Sequence, residues 1–279
     1  MIDVWNSSTF DSELNSFLEP QTDLIRNYLL TDHEIFLEYD LGRGPSRPPL
    51  RPDNRFAFAF IALQEAMMQL MERRTIRAFH YTRMMEHEVA RLRRDGIHLS
   101  TPETLRQRLE VLISTRTLSR AIADKLYAQS PFHSDQLESR SDKFWMTSHP
   151  IEVHDSGVTP LMAHWGGEVA SMWTRDQSLL TPLGAIGKPR IIEIAVPMLA
   201  TRHSFSAGKA VLATFARSRG CISEKQAFDL YAKEQLSPSS ILAVHTEGDQ
   251  AFVDMGRSYP PGYVNVSIGY WKELTGEDG

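Results

Sequence analysis

Hydrophobic residues recur every three or four positions through most of the first half of the chain, the spacing that gives a helix one apolar face. This spacing predicts helices within residues 1–40, 55–75, 84–95 and 102–128, with Pro20 interrupting the first. The clearest apolar stripe is the one between residues 55 and 75, which consists of Phe56, Phe60, Leu63, Met67, Leu70 and Met71. Methionine-rich stripes of this kind are typical of a packed core.

Extended segments replace long helices in the second half. Residues 190–196 are mostly apolar and predict a strand inside a sheet, while residues 143–148 and 240–245 predict two further strands. Residues 250–253 are expected to pair with 240–245, and residues 77–82 form a strand between two helices of the first half. Helices followed by strands indicate an α+β fold, with a mixed or antiparallel sheet, rather than a doubly wound one.

Capping residues mark several helix ends. Ser100 with Glu103, and Ser223 with Gln226, have the spacing of a capping box, which predicts one helix after residue 100 and another running to about residue 235. Gly96 predicts a left-handed cap at the end of the preceding helix. These signals fix where the predicted helices begin and end.

A proline-rich stretch divides the chain. Residues 42–52 contain four prolines and two glycines, which favours a linker over a helix. Its arginines leave open a second interpretation, a docking arm for a partner. We therefore predict a helical extension with its linker over residues 1–54 and a second domain over residues 55–279.

Composition narrows the class of protein. Hydrophobic residues make up 42% and charged residues 23% of the 279 residues, which is typical of a soluble globular protein. A net charge of −5 argues against binding duplex nucleic acid through a general positive field. Cys221 is the only cysteine, so a disulfide within the chain is excluded. Without a long apolar run or a signal-like start, we expect a cytoplasmic protein with no membrane partner.

The common catalytic and nucleotide-binding motifs are missing from the sequence. It contains no phosphate loop of the GxxxxGK[ST] type, no GxGxxG after a strand, no HExxH and no GxSxG. His149, His154 and Asp155 leave open a metal-dependent hydrolase, but their spacing is weak for metal ligands. We expect no metal cofactor.

One segment carries a family resemblance. Phe79-His80-Tyr81-Thr82-Arg83 lies on the predicted strand and is followed by a helix, a glycine and a short extended run ending at Ser100. Over about twenty residues this resembles the opening of the ADP-ribosyltransferase superfamily, especially its diphtheria-toxin-like and DNA-modifying members. The resemblance implies that His80 holds the adenosine ribose of NAD, and that Tyr81 and Thr82 line the nicotinamide site.

Further residues would complete an NAD site of this type. Trp145 on the strand at 143–148, and Trp165, could stack on the nicotinamide or wall its site. Residues 158–173 are predicted to be helical on either side of a glycine pair, which would allow backbone to approach a ligand. Glu168 follows that pair and is the preferred carboxylate for polarising a ribose hydroxyl. Three alternatives remain open for that carboxylate, namely Glu193, Glu224 and Glu247.

The resemblance therefore implies NAD-dependent ADP-ribosyl transfer, or NAD hydrolysis, with NAD as substrate and no metal. The acceptor would be a protein or a nucleic acid, which the sequence does not identify. A bacterial toxin or defence effector is the biological role that such an activity implies. The alternative is a non-catalytic interaction protein with a degenerate ADP-ribosyltransferase-like fold.

Overall fold

The structure is a computed structural model that describes residues 1–40, 50–221, 223, 226–257 and 259. Its contacts divide the chain into two compact units. The sheet unit comprises Met1–Ile2, Glu72–Ser204 and Ala227–Arg257. The helical unit takes the remaining residues, beginning with Asp3–Met71 and including Phe205–Gln226.

The described residues form helices together with strands that pair antiparallel, which is the combination found in an α+β fold. The α-helices of the described residues are α1 (Ser12–Leu18), α2 (Thr22–Ile35), α3 (Ala57–Glu72), α4 (Glu86–Asp95), α5 (Pro102–Ser114), α6 (Arg120–Ala128), α7 (Leu137–Arg140), α8 (Thr159–Ala163), α9 (Gln177–Gly184), α10 (Ser204–Ser218) and α11 (Gln250–Val253). The strands are β1 (Thr75–Met84), β2 (Phe144–Thr147), β3 (Lys188–Pro197), β4 (Asp229–Ala232) and β5 (Ile241–Thr246). The predicted α+β class is confirmed.

The five strands form one antiparallel sheet in the order β4-β2-β1-β3-β5. The central strand β1 pairs with β3 over ten residues, from Thr75 opposite Pro197 to Met84 opposite Lys188. On its other side, β1 shares with β2 only the registered pair Phe79 and Thr147. We call this boundary between β1 and β2 the seam. The sheet is therefore firmly joined on one side of β1 and barely joined on the other.

Two apolar clusters contribute to the core of the sheet unit. One joins α5, α6 and α9 and includes Leu105, Leu109, Leu126, Leu179, Leu183 and Trp165. The other covers one face of the sheet and includes Phe79, Tyr81, Val153, Met162, Ile191 and Phe252. The alternate residues of β1, which include His80 and Thr82, point to the opposite face of the sheet.

Helix α5 begins one residue later than the predicted capping box. Thr101 Oγ1 accepts from the Thr104 amide, and Thr104 Oγ1 accepts from the Thr101 amide. The Ser100 amide instead donates to the Lys143 carbonyl, so Ser100 is held in an extended bridge and cannot cap the helix. The prediction of one helix over 102–128 was also wrong, because Arg116 adopts a φ of 58° and separates α5 from α6.

Two predictions in the last fifty residues of the described chain were wrong. Residues 229–232, expected within a helix, form β4 and pair with β2. Residues 250–253, expected as a strand, form the short helix α11 after Asp249, because the chain there buries a single apolar side chain, Phe252. The predicted strands at 77–82, 143–148, 190–196 and 240–245 are confirmed within one or two residues.

The helical unit contains α1, α2, all but the last residue of α3 and all but the first residue of α10. Its apolar stripe on α3 is confirmed, with Phe60, Leu63, Met67 and Met71 buried. The predicted boundary at residue 54 falls inside this unit, and residues 41–49 of the predicted linker lie outside the described residues. Within the described part of the chain, no helix has the length and apolar character needed to cross a membrane.

Candidate functional site

His80 lies on β1 beside the seam, and its side chain bonds across it. The imidazole Nδ1 is 2.8 Å from the carbonyl oxygen of Trp145 on β2. Because a carbonyl oxygen can only accept, Nδ1 carries the hydrogen and Nε2 holds an unprotonated lone pair. That Nε2 has no hydrogen-bond partner among the described residues.

The surroundings keep this imidazole uncharged at neutral pH. Burial lowers the pKa of His80 to about 4, even though the bond to the Trp145 carbonyl acts in the opposite direction. The Arg108 guanidinium lowers the pKa further. The Phe144 ring packs beside the imidazole, with 4.4 Å between the ring centroids. His80 is therefore a neutral hydrogen-bond acceptor that is held in a fixed tautomer.

The glycine pair brings a second segment against β1. The Gly166 amide donates to the Arg83 carbonyl at 3.0 Å. Gly167 has a φ of +55°, and a Cβ there would lie 3.2 Å from both Thr82 Oγ1 and the Leu161 carbonyl oxygen. Both facts call for glycine. The sequence predicted that the pair would approach a ligand, whereas the structure shows it against strand β1, where it fixes the position of the next residue, Glu168.

Glu168 is held by an arginine that also contacts two tryptophans. Arg140 Nε and Nη2 lie 2.7 and 2.6 Å from Glu168 Oε1. The guanidinium carbon is 5.3 Å from the Trp145 ring centroid and 6.0 Å from that of Trp173. The Trp145 indole nitrogen donates to the Ser139 carbonyl, which fixes that ring in turn.

These contacts close into a ring, which we call the His80 circuit. The His80 imidazole contacts the Trp145 carbonyl, and the indole of Trp145 lies beside the Arg140 guanidinium. Arg140 binds the Glu168 carboxylate, and the preceding residue, Gly167, packs on Thr82 of β1. Its members are His80, Trp145, Arg140, Glu168, Gly167 and Thr82. The structure therefore connects four of the six residues predicted for an NAD site. Chemically, the circuit combines a neutral nitrogen acceptor, a carboxylate and an aromatic surface.

Tyr81 does not belong to the circuit. Successive residues of a strand point to opposite faces, so Tyr81 faces away from His80 and Thr82. Its side chain is buried, and its hydroxyl donates to the Ile151 carbonyl at 2.9 Å and accepts from the Ile151 amide at 2.6 Å. Burial also raises the pKa of the phenol. The Tyr81 side chain is therefore part of the core, and its place beside a nicotinamide site stays a prediction that would use the main chain of this residue.

Trp165 is also a core residue. Its side chain has no exposed surface, and its indole nitrogen donates to Glu88 Oε2 at 2.9 Å. The Arg108 guanidinium carbon lies 4.6 Å from the centre of its ring. Stacking on a ligand needs an open ring face, which this position does not offer. Burial argues against stacking, while the other predicted role, forming a wall of the site, stays a prediction.

Glu193, another candidate carboxylate, lies on the opposite face of the sheet from His80. Glu193 is registered opposite Phe79, so it shares the face of Tyr81, and it contacts Arg77 at 2.7 Å and His245 at 3.1 Å. Burial raises the pKa of Glu193, but the hydrogen bonds from these two partners outweigh it and hold the pKa below its usual range. The last two candidate carboxylates add nothing to this comparison. Glu247 is exposed in a turn, and Glu224 lies outside the described residues.

The metal-dependent alternative gains no support. The described part of the chain holds no group of three His, Cys, Asp or Glu side chains that could bind a metal ion. His154 and Asp155 are both exposed. Nothing in the described residues brings them together with His149 as a ligand set.

Sequence reasoning missed the arginines. Arg140 and Arg108 each lie on a helix among other charged residues, where an isolated arginine is typical of a solvated face. Only the fold brings Arg140 to Glu168, over 28 residues of chain, and Arg108 to Glu88, over 20 residues.

No protein-family model, no curated protein and no solved structure matches this chain.

Proposed function

We propose that the sheet unit cleaves NAD at the His80 circuit, transferring ADP-ribose to an acceptor or to water. The observation that carries the proposal is the neutral His80 imidazole, whose Nε2 is unpartnered while Nδ1 is fixed by the Trp145 carbonyl. A nitrogen in this state can accept a hydrogen bond from a ribose hydroxyl. The family resemblance of residues 79–100 independently favours the same role for His80.

The reaction needs little beyond positioning and charge. The bond between the ribose C1′ and the nicotinamide nitrogen breaks, and nicotinamide leaves with the bonding electrons. Positive charge develops on the ribose and is stabilised by a nearby carboxylate, the role we give to Glu168. The acceptor then forms a bond to C1′ and loses a proton. No metal is required for any of these steps.

The remaining members of the circuit hold these two groups in place. Arg140 fixes the Glu168 carboxylate through two contacts to Oε1. Phe144 supplies an aromatic surface beside the imidazole, and Trp145 supplies the backbone carbonyl that fixes it. Fixed geometry of this kind is what accelerates a reaction that needs oriented substrates. The acceptor is proposed to be water or a macromolecule, a protein or a nucleic acid.

The test is release of nicotinamide from NAD by the purified chain. His80→Asn keeps a donor to the Trp145 carbonyl and removes the Nε2 acceptor. Glu168→Gln keeps the size of the side chain and removes its charge. We expect each to reduce release by about 100-fold or more. His98→Asn and Glu152→Gln change exposed residues of the same types and should leave release unchanged.

Three results would contradict parts of this proposal. Release that survives His80→Asn would remove His80 from the mechanism. Release that survives Glu168→Gln but not Glu193→Gln would move the carboxylate to the other face of the sheet. If the wild-type chain releases no nicotinamide and NAD does not raise its melting temperature, the proposed function is wrong. The interaction protein would then be the better interpretation.

A further inference from the structure

Arg108 on α5 is held rigidly, yet half of its guanidinium has no partner. Its Nε donates to Glu88 Oε1 at 2.8 Å, and its guanidinium carbon lies 4.6 Å from the Trp165 ring centroid. Neither terminal nitrogen, Nη1 or Nη2, makes a hydrogen bond to a residue in the described part of the chain. A quarter of the side chain, 25%, is exposed. The guanidinium is therefore oriented but not saturated.

Glu88 cannot satisfy these nitrogens. Its other oxygen, Oε2, already accepts from the Met85 amide at 2.8 Å and from the Trp165 indole at 2.9 Å. Its side chain is 11% exposed, and the same contacts hold its pKa below the usual range despite burial. The carboxylate thus acts as an anchor for the arginine. Four N–H groups at Nη1 and Nη2 remain available in one plane.

The free end of Arg108 lies close to the His80 circuit. A Cβ on Gly166 would be 3.9 Å from Arg108 Nη2. Gly166 bonds to β1 at Arg83, and the adjacent Gly167 packs on Thr82, which shares its face of the strand with His80. The contribution of Arg108 to the low pKa of the imidazole is consistent with this proximity.

We propose that Arg108 is the anion-binding residue of the site and takes the diphosphate of the dinucleotide substrate through Nη1 and Nη2. A planar guanidinium fork matches the geometry of phosphate oxygens, and here its orientation is set before the ligand arrives. The inference rests on the proposed function, because NAD supplies the diphosphate. It also accounts for an arginine whose strongest contacts leave its terminal nitrogens unused.

The first test uses inorganic pyrophosphate as the probe, measured by titration calorimetry, so that no catalysis is needed. Arg108→Gln should weaken pyrophosphate binding by about 10- to 100-fold, the loss expected for charge-assisted hydrogen bonds. Arg106→Gln is the matched control, because Arg106 lies on the same helix and pairs with Asp124 at the surface. The control should bind pyrophosphate as the wild type does.

Removing Arg108 alone leaves Glu88 buried without its partner, which could lower stability. The double variant Glu88→Gln/Arg108→Gln removes both charges and keeps an amide oxygen for the Trp165 indole. We expect this variant to have a free energy of unfolding similar to that of the wild type. It should bind pyrophosphate as weakly as Arg108→Gln does. A loss of binding in a folded double variant therefore reports on the anion site.

The second test separates this inference from the proposed function. Arg108→Gln should raise the KM for NAD about 10- to 100-fold but leave the KM for nicotinamide riboside, which has no phosphate, unchanged. Equal effects on both substrates would overturn the inference and leave NAD cleavage intact. Pyrophosphate binding that is absent in the wild type, or unchanged in Arg108→Gln, would also overturn it. Wild-type pyrophosphate binding without nicotinamide release would contradict the proposed function alone.

Discussion

The stability of the sheet unit should depend on pH through His80. The folded imidazole has a pKa of about 4 against an ordinary value of 6.5 in the unfolded chain. Between these pH values His80 is protonated in the unfolded state but not in the folded state. The free energy of unfolding therefore decreases as the pH falls. From pH 7 to pH 5 this difference amounts to about 2 kcal/mol in the free energy of unfolding. The loss would continue until the pH passes the folded pKa.

His80→Asn isolates this effect, because asparagine can still donate to the Trp145 carbonyl but does not titrate. We would measure urea unfolding of both proteins at pH 7 and pH 5 by circular dichroism. The wild type should lose about 2 kcal/mol more than the variant over this interval. His98→Asn, a change at an exposed histidine, should behave as the wild type does. Equal losses in the wild type and in His80→Asn would refute the reasoning.

Two further substitutions test the packing around the site. Trp165→Phe removes the indole donor to the buried Glu88 carboxylate and should lower the free energy of unfolding, measured in urea, by about 1.5–3 kcal/mol. The control Trp173→Phe, at a part-exposed position, should change it by less than about 0.5 kcal/mol. Gly167→Ala places a side chain at a φ of +55° and should cost about 1–2 kcal/mol and reduce nicotinamide release. At Gly184, in a helix, an added Cβ would make ordinary van der Waals contacts at 3.9 Å, so Gly184→Ala should do neither. If Gly167→Ala changed neither the free energy of unfolding nor nicotinamide release, the segment around Gly167 would be able to adjust to a side chain there.

Much of the fold could be predicted because periodicity reports burial directly. The strands at 77–82 and 190–196 and the helix at 55–75 each carry several apolar residues at one spacing. Short elements failed where a tertiary contact decides the outcome. Residues 229–232 form β4 because β2 offers an edge to pair with, and residues 250–253 form α11 because one phenylalanine is buried.

The site was only partly predictable for a different reason. Sequence order identified His80 and Thr82 on one face of a strand, and the glycine pair before Glu168. It could not show that Trp165 is enclosed in the core, because an aromatic residue next to two glycines is compatible with either environment. Nor could it pair Arg140 with Glu168, since partner choice between distant charges depends on the fold.

The uneven joining of β1 has a consequence for local unfolding. Backbone hydrogen exchange proceeds through partial openings, which break the least-connected parts first. The ladder between β1 and β3 spans ten residues, whereas β2 is tied to β1 by one registered pair and by the imidazole of His80. Amides of β2 and β4 should therefore exchange as their own cooperative unit, faster than those of β1 and β3. Because such an opening removes the Trp145 carbonyl from His80, the site persists only as long as that smaller unit stays closed.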